Sequence, residues 1–328
     1  MTLKFSIRVN NDLAPGELVA LAQTAEKVGF DQIWFSNDLF LRSAPFLAGM
    51  VSSATTRISF GIGIMNPYSV HPAELAMLAA TGSEASGGRF LLGLGAGADS
   101  FLGWAGISRG KPLTVTRSAY TTIKTLTTGG RPADFSPDWM AEGYLRFPHD
   151  VPIYLGAMGP KMTRLIGEIA DGGLPLLYPP EHFAEVRSLV QEGLLVSGRS
   201  MRDIDLPACF WVSVGSNLEQ ARRAMAEKIV YYGAAFAPEL VSKAGVDPDE
   251  LAAISNLAET QGLDKAVSLI TDAMLGLGIV GSAEQVVDRC RSLVEMGAEH
   301  LSFGPPLGPI PLEAIEILGR DVLSVLKN

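Results

Sequence analysis

Short apolar runs alternate along the chain with segments whose apolar residues recur at helical spacing. The first helical segment, for example, places Leu18, Leu21 and Ala25 on one face. Alternation of this kind predicts a parallel sheet joined by right-handed helical crossovers. Strand-like runs begin near residues 3, 31, 57, 89, 152, 173, 207 and 299. These strand and helix units together predict an α/β protein whose fold is a (β/α)8, or TIM, barrel.

Two segments interrupt the alternation. After the fourth strand, Ala98 to Arg109 is loop-like, and residues 128–150 are rich in Gly, Pro and Asp. After the seventh strand, residues 233–278 have helical character with no strand between them. We therefore expect one barrel domain over residues 1–328, with insertions near 98–150 and 233–278. The length of the chain is ordinary for a single α/β barrel.

The amino-acid composition argues against several classes of binding partner. The 328 residues include 26 Lys and Arg against 35 Asp and Glu, and the net charge of −9 repels phosphate backbones and anionic lipids. No apolar run reaches the ~18 residues of a spanning helix. Cys209 and Cys290 have no zinc or disulfide spacing. We expect a cytoplasmic protein with a small-molecule substrate and no metal, nucleic-acid or membrane partner.

Two glycine-ended strands stand on either side of one helix. The first contains Gly63-Ile64, and the second ends in Gly93-Leu94-Gly95-Ala96-Gly97. The second motif resembles a dinucleotide-binding turn, but that turn needs a helix at once and an acidic residue ~20 positions later. Residues 98–112 offer neither. Either the glycines serve barrel packing alone, or they let backbone approach a ligand at the carboxyl end of the barrel, where active sites of this fold lie.

The segment Gly156 to Lys161 is a candidate phosphate site. A strand end, two glycines and a helix N-terminus bring free peptide N–H groups together with the positive end of a helix dipole. Lys161 or Arg164 could add charge. The alternative is a glycine-rich turn that only caps a helix. Ser282, at the start of another helix, is a weaker second candidate.

Polar residues follow the early strands and would face one pocket in a closed barrel. They are Arg8, Ser36-Asn37-Asp38, Asn66 and Asp99. Asp38 could be a general acid or orient a substrate, or it could only pair with Arg8 or Arg42. His71 precedes Pro72 as a helix cap would, and the other histidines lack metal spacing. The absence of GxSxG, HExxH and P-loop motifs removes the usual hydrolase and nucleotide hydrolysis mechanisms.

Several motifs together resemble one known group of proteins. They are Gly63-Ile64-Met65-Asn66-Pro67-Tyr68 with His71-Pro72, Ser86-Gly87-Gly88-Arg89 with Gly93 to Gly97, Pro152 to Ala157 with Gly159-Pro160-Lys161-Met162, Gly167 to Gly172, and the late segment around Val280-Gly281-Ser282 and Ser302 to Pro309. The chain is similar over nearly its whole length to the bacterial luciferase-like superfamily, and within it to the deazaflavin-dependent methylenetetrahydromethanopterin reductases.

This resemblance implies a (β/α)8 barrel that binds coenzyme F420, or FMN in sister groups, at its carboxyl-terminal mouth. It also implies a non-prolyl cis peptide at Gly63-Ile64, in a bulge behind the flavin ring, and a homo-oligomer, dimer or tetramer. By position, Asn37 and Asp38 would stand near the reacting carbon. The implied contacts to the ring or side chain are Asn66, Gly95, Ala96 and Gly97, and those to the phosphate are Gly156, Ala157, Met158, Gly159 and Pro160.

Two positions depart from the reductases. Arg8 stands where they carry an acidic residue on the first strand, and Ser36-Asn37-Asp38 stands where an Asp-His or Ser-Asp-His set is usual. A cation would repel an iminium-type intermediate and cannot donate its proton, so we do not expect the methanopterin substrate. Arg8 instead suits an anionic or carbonyl-bearing substrate.

The leading hypothesis is therefore hydride transfer between carbon 5 of the deazaflavin and a carbonyl, imine or activated alkene. Asp38, Asn37 and Arg8 are its candidate catalytic residues. One alternative is an FMN-dependent monooxygenase that reacts with oxygen. The other is a barrel that binds the cofactor without catalysis.

Overall fold

The computed structural model describes residues 3–327, and its centre is a parallel sheet of nine strands. The strands pair in the order β6-β5-β4-β3-β2-β1-β9-β7-β8. The two flanks of this series approach each other where Gly172 forms a parallel bridge with Asp205, just ahead of β7. The sheet therefore curls back on itself. The strands are β1 (Lys4–Val9), β2 (Gln32–Phe35), β3 (Ser59–Met65), β4 (Phe90–Leu94), β5 (Ile153–Ala157), β6 (Gly172–Pro175), β7 (Ala208–Val214), β8 (Ile279–Gly281) and β9 (His300–Leu307).

Helices connect the strands and cover the outer face of the sheet. They are α1 (Pro15–Val28), α2 (Ala44–Ala54), α3 (Pro72–Ser86), α4 (Asp99–Trp104), α5 (Pro112–Thr127), α6 (Pro160–Ile169), α7 (Phe183–Ser197), α8 (Leu218–Tyr232), α9 (Pro238–Lys243), α10 (Pro248–Gln261), α11 (Leu263–Val267), α12 (Asp272–Leu275), α13 (Ala283–Glu295), α14 (Pro311–Ile317) and α15 (Ser324–Leu326). A π-helical stretch, Leu318–Leu323, joins the last two. No helix within residues 3–327 is long and apolar enough to cross a membrane.

The eight strands predicted from the sequence are all present. The structure adds β8, a strand of three residues that pairs with the end of β7. Residues 98–109, predicted as loop, contain the six-residue helix α4. Between residues 233 and 278 the described chain forms helices and no strand, as predicted. Ser282 caps α13 by accepting a hydrogen bond from the Gln285 N–H group.

Side chains on the two faces of the strands enter two different cores. Phe5, Ile7 and Val9 of β1 belong to the large cluster between sheet and helices. The intervening Ser6 and Arg8 point to the interior of the curled sheet, since alternate strand residues face opposite sides. The middle of that interior is apolar and is filled by Trp34, Leu91, Tyr154, Leu174 and Cys209.

A polar network closes the amino-terminal end of the interior. The Asp205 carboxylate accepts hydrogen bonds from the Tyr154 hydroxyl at 2.8 Å and the Gln32 amide at 3.1 Å, and lies 2.8 Å from His300 Nδ1. His300 Nε2 lies 2.9 Å from the Ser6 hydroxyl. Burial would raise the pKa of Asp205, but His300 and Lys4 together hold that pKa well below its ordinary value. The network fills the amino-terminal end, so a ligand would have to bind at the opposite, carboxyl-terminal end.

Candidate functional site

Strand β3 has a bulge near its carboxyl-terminal end, at the mouth of the curled sheet. The peptide bond between Gly63 and Ile64 is cis, as the family resemblance implied, and the pairing of β3 with β4 shifts register between Ile62 and Met65. A Cβ atom on Gly156 would lie 2.7 Å from Ile64 Cγ2, and one on Gly95 would lie 3.2 Å from Ile64 Cγ1. These two glycines therefore make room for the Ile64 side chain on the neighbouring strands.

The loop after β3 is built around Asn66. Its buried Oδ1 accepts hydrogen bonds from the peptide N–H groups of Tyr68 and Ser69 and from the Ser69 hydroxyl. Gly97, at φ +74°, lies against this side chain, because a Cβ there would come within 3.2 Å of it. Within the described chain the Asn66 Nδ2 group has no hydrogen-bond acceptor. Ala96 and Gly97 are half-buried beside it, so this amide is a donor open to a ligand.

The start of α6 follows directly from β5. Gly159 occupies the N-cap position in extended conformation, and a Cβ built on it would meet nothing within 4 Å. The first turn of a helix leaves peptide N–H groups without intrahelical acceptors. Lys161 is exposed beside them, whereas the Arg164 guanidinium is paired with Glu192. Of the two cations considered from the sequence, Lys161 is the one left for a ligand.

Arg8 lies on the other side of the mouth. Its Nη2 donates to the carbonyl of Phe210 at 2.8 Å, and its Nε donates to the Ser302 hydroxyl at 3.2 Å. The guanidinium borders a small pocket whose walls are mostly apolar: Leu176, Leu177, Tyr178, Trp211, Phe236 and Leu277. Leu176 also packs with Ile64 against the interior cluster. The pocket and the bulge are therefore neighbours.

Asp38 and Asn37 follow β2 and are both half-buried. Asp38 forms neither of the ion pairs considered from the sequence: over residues 3–327, no cation lies within 4.0 Å of its carboxylate. Burial raises the pKa of Asp38, while the Ser36 hydroxyl and the Lys228 charge lower it and the Asp12 charge raises it. The carboxyl group thus holds its proton to a higher pH than an exposed aspartate.

Lys228, on α8, lies near Arg8 and Asp38, although no pattern in the sequence placed it there. Its ammonium nitrogen lies 3.8 Å from the centroid of the Tyr232 ring and 5.4 Å from that of Trp211. Burial and the Arg8 charge lower the pKa of Lys228 to about 8, and the charges of Asp38 and Asp12 oppose that shift. In the sequence it is one lysine on an amphipathic helix, and only the i, i+4 spacing to Tyr232 hinted at a shielded position.

Comparison with known proteins identifies the family. Residues 4–300 match the family described as luciferase-like monooxygenase. This chain belongs to the luciferase-like family. It is 31% identical to the 5,10-methylenetetrahydromethanopterin reductase of Archaeoglobus fulgidus, over 99% of this chain and all of that one. It is 30% identical to the F420-dependent glucose-6-phosphate dehydrogenase of Nakamurella multipartita, over 95% and 93% of the two chains.

Solved structures agree with this assignment to the luciferase-like fold. The coenzyme F420 dependent tetrahydromethanopterin reductase from Methanopyrus kandleri superposes with a TM-score of 0.92 at 26% identity, covering 99% of this chain and 100% of that one. An F420-dependent secondary alcohol dehydrogenase gives a TM-score of 0.80 at 21% identity. The parallel curled sheet is thus the luciferase-like TIM-barrel fold. Within the described chain, no cluster of His, Cys, Asp and Glu could hold a metal ion.

A second residue that sequence reasoning missed, Asn11, fixes the Asp38 loop of this luciferase-like protein. Its Nδ2 donates to the carbonyls of Asp38 at 3.1 Å and Arg42 at 2.7 Å, and its Oδ1 accepts from the Asp38 N–H at 3.2 Å and the Ser36 hydroxyl at 2.8 Å. Asn11 is fully buried. It is therefore a positioning residue for Asp38.

An Asn11→Ala variant is expected to lose about 1–3 kcal/mol of unfolding free energy, because buried partners lose their hydrogen bonds. It is also expected to lower kcat while leaving cofactor affinity unchanged, since Asp38 moves and the bulge does not. Chemical denaturation and steady-state kinetics measure the two effects. Asn10→Ala is the matched control, because the described structure gives the Asn10 side chain no hydrogen bond. Unchanged kcat in Asn11→Ala would contradict the positioning role.

Proposed function

We propose that this protein is a coenzyme F420-dependent oxidoreductase that transfers a hydride between the deazaflavin and a small organic substrate. The observation that carries the proposal is the bulge of β3 between Ile62 and Met65, where Gly95 and Gly156 on the neighbouring strands make room for the Ile64 side chain. Relatives across nearly the full length of the chain carry F420 in their names. When bound, the deazaflavin gives or accepts a hydride at its carbon 5.

The residues of the mouth fit such a cofactor. Ile64 offers an apolar surface to one face of a planar ring, and the free Asn66 amide offers it a hydrogen-bond donor. Ala96 and Gly97 leave space beside that amide. The side chain of F420 is anionic, and the open turn from Gly156 through Ala157, Met158, Gly159 and Pro160 to Lys161 offers free N–H groups, a helix dipole and one cation.

Three residues are proposed to act on the substrate. Arg8 orients it, because three protein acceptors hold the guanidinium in place while other N–H groups remain free. Asp38 gives or takes the proton that accompanies reduction or oxidation at a carbonyl, imine or activated alkene, and its raised pKa suits this task. Asn37 has no hydrogen bond within the described chain and stands beside Asp38 as a donor to the substrate.

The wider organisation is part of the same proposal. We take residues 1–328 as one (β/α)8 barrel domain, with insertions near 98–150 and 233–278 that cover the carboxyl-terminal mouth. We further propose a cytoplasmic enzyme that assembles as a dimer or tetramer through its outer helices. Exposed apolar side chains on neighbouring helices, Phe46 of α2 and Met77 of α3, support that assembly.

Equilibrium binding of oxidised F420 and of FMN to the purified protein tests the cofactor. Preference for F420 followed by hydride exchange with an acceptor supports the proposal. An FMN-dependent monooxygenase is the second candidate, favoured by the description of the matching family. Tighter binding of FMN, with oxygen consumption by the reduced complex, would establish that candidate instead. F420 binding without exchange against any carbonyl, imine or alkene would indicate a non-catalytic barrel.

A Gly159→Asp variant is expected to weaken F420 binding by at least about tenfold, because it places an anion where the phosphate is proposed to bind. The fold should be unaffected, since the position is extended, open and an N-cap, where aspartate is favoured. Fluorescence titration measures the affinity and thermal unfolding checks the fold. Gly159→Asn has the same shape without the charge. Equal affinities in the two variants would place the phosphate elsewhere.

A further inference from the structure

We infer that Phe40 and Trp104 form an aromatic platform at the mouth of the barrel, so the substrate that exchanges the hydride carries an aromatic ring. The inference deepens the proposed function, and rests on it only in taking the molecule on the platform to be the one that reacts. Neither the family resemblance nor the proposed hydride transfer assigns a role to these two residues.

The two rings come from loops on either side of the bulged strand. Phe40 lies in the turn after β2, two residues beyond Asp38, and Trp104 is the last residue of α4, which follows β4. The centroids of their rings are 6.2 Å apart, although β3 lies between β2 and β4 in the sheet. The two loops therefore meet on the carboxyl-terminal side of the sheet, where β3 ends between them.

The platform adjoins both parts of the proposed site. On one side, α4 begins two residues after Gly97, which lies against the Asn66 side chain. On the other side, the Leu41 N–H donates a hydrogen bond of 3.4 Å to the Asp38 carbonyl, which closes the turn that carries Phe40. The platform thus connects a residue proposed to contact the cofactor with the residue proposed to transfer the proton.

Phe40 occupies a backbone conformation that costs free energy. Its φ is +69°, in the left-handed region that glycine adopts freely and a bulky residue does not. The ring gains little burial in return, because Phe40 is 65% exposed. Neither backbone preference nor packing within this chain accounts for a phenylalanine here, whereas a ligand that lies on the ring would.

The exposed aromatic surface is continuous. Trp104 is 68% exposed, and its ring also contacts that of Phe101, with 5.1 Å between the centroids. Single apolar side chains on a surface are ordinary, but a contiguous group of rings indicates a binding surface. Aromatic rings favour other rings, through offset stacking or edge-to-face contact. Because the group lies at the mouth, where active sites of this fold lie, the occupant is a substrate ring.

The test is calorimetric titration with acetophenone and with cyclohexyl methyl ketone, which has nearly the same size and the same carbonyl group but no aromatic ring. We expect the wild-type protein to bind acetophenone at least about threefold more tightly, as one aromatic contact predicts. Phe40→Leu and Trp104→Leu keep apolar side chains without an aromatic face. Each should lower this ratio, and the double variant should abolish it.

Phe147→Leu is the matched control, because Phe147 is 78% exposed and lies in the segment before β5, away from the mouth. This variant should keep the wild-type ratio of affinities. Thermal unfolding of each variant confirms the fold.

Four outcomes would overturn the inference. They are equal binding of the two ketones by the wild-type protein, binding of neither, an unchanged ratio in the double variant, and an altered oligomeric state of that variant, since the rings would then cover a second copy of the chain. Weaker F420 binding by the double variant would also overturn it, in favour of a contact with the cofactor.

The titrations are made with and without F420, which separates this inference from the proposed function. A preference for acetophenone that depends on Phe40 and Trp104, in a protein that binds no F420, would support the platform and refute the proposed cofactor chemistry. Binding of F420 without any preference between the ketones would refute the platform alone.

Discussion

An Asp38→Asn variant is expected to lose turnover by on the order of 10²–10⁴-fold, the usual contribution of a positioned proton donor or acceptor. The amide has nearly the shape of the carboxyl group but cannot release or take up a proton. The hydrogen bonds that hold the loop use the Asp38 backbone and the Asn11 side chain, so they survive the substitution. Cofactor affinity should be unchanged. Wild-type turnover in Asp38→Asn would show that the proton comes from another group or from water.

The pH profile of the reaction provides an independent check. Burial raises the pKa of Asp38, so the protonated form persists to a higher pH than in an exposed aspartate. In the direction that consumes a proton, turnover should fall as pH rises through this pKa. The pH profile of Asp38→Asn should lack this alkaline fall. Asp12→Asn is the control: it keeps the carboxyl group of Asp38 but removes a nearby negative charge that raises its pKa. In Asp12→Asn the alkaline fall of turnover should therefore occur at lower pH than in the wild-type protein.

The second large effect concerns stability. Asp205→Ala is expected to cost about 3–5 kcal/mol of unfolding free energy, because removing one partner of a buried polar network leaves the others unpaired. The groups that lose this acceptor are Tyr154, Gln32, His300 and Lys4. Urea denaturation measures the loss. Asp272→Ala is the matched control, because that carboxylate pairs with Arg222 on the surface and is 87% exposed, so its loss should hardly change stability.

The pH dependence of this effect has a defined sign. The pKa of Asp205 is lower in the folded protein than in the unfolded chain. Its contribution is therefore complete above the unfolded pKa, about 4, and is lost as pH falls toward the folded value. The difference between the wild-type protein and Asp205→Ala should shrink in acid. A difference that stays constant between neutral pH and about pH 3 would contradict the assigned role.

The fold followed from the sequence wherever periodicity extended over a full element. Helices of ten or more residues and buried strands of four or more have enough repeats to define their period. β8 has three residues and α4 has six, too few for such a pattern. The last helix is divided into α14, a π-helical stretch and α15. The spacing of apolar residues in the sequence does not indicate this division.

The site was predictable only in part, because its residues come from distant strands. Glycines at strand ends indicated a ligand site, but the structure shows that Gly95 and Gly156 also make room for Ile64. The family resemblance supplied the cis bond, which periodicity alone could not. Asn11 and Lys228 contact residues that are not their neighbours in the chain, Asp38 and Trp211 respectively. Pairwise proximity of this kind is fixed by the topology of the sheet and cannot be obtained from local patterns.

The order of strands in the sheet also determines when its first edge is protected. The strands β1 to β6 each pair with the strand made just before or after them, but the other edge of β1 pairs with β9. Ser6 and His300, which meet at this junction, are 294 positions apart in the chain. During synthesis β1 therefore keeps an open hydrogen-bonding edge until almost the whole protein has been made. Any product that stops short of His300 carries that edge exposed, where a second chain can pair with it and begin aggregation.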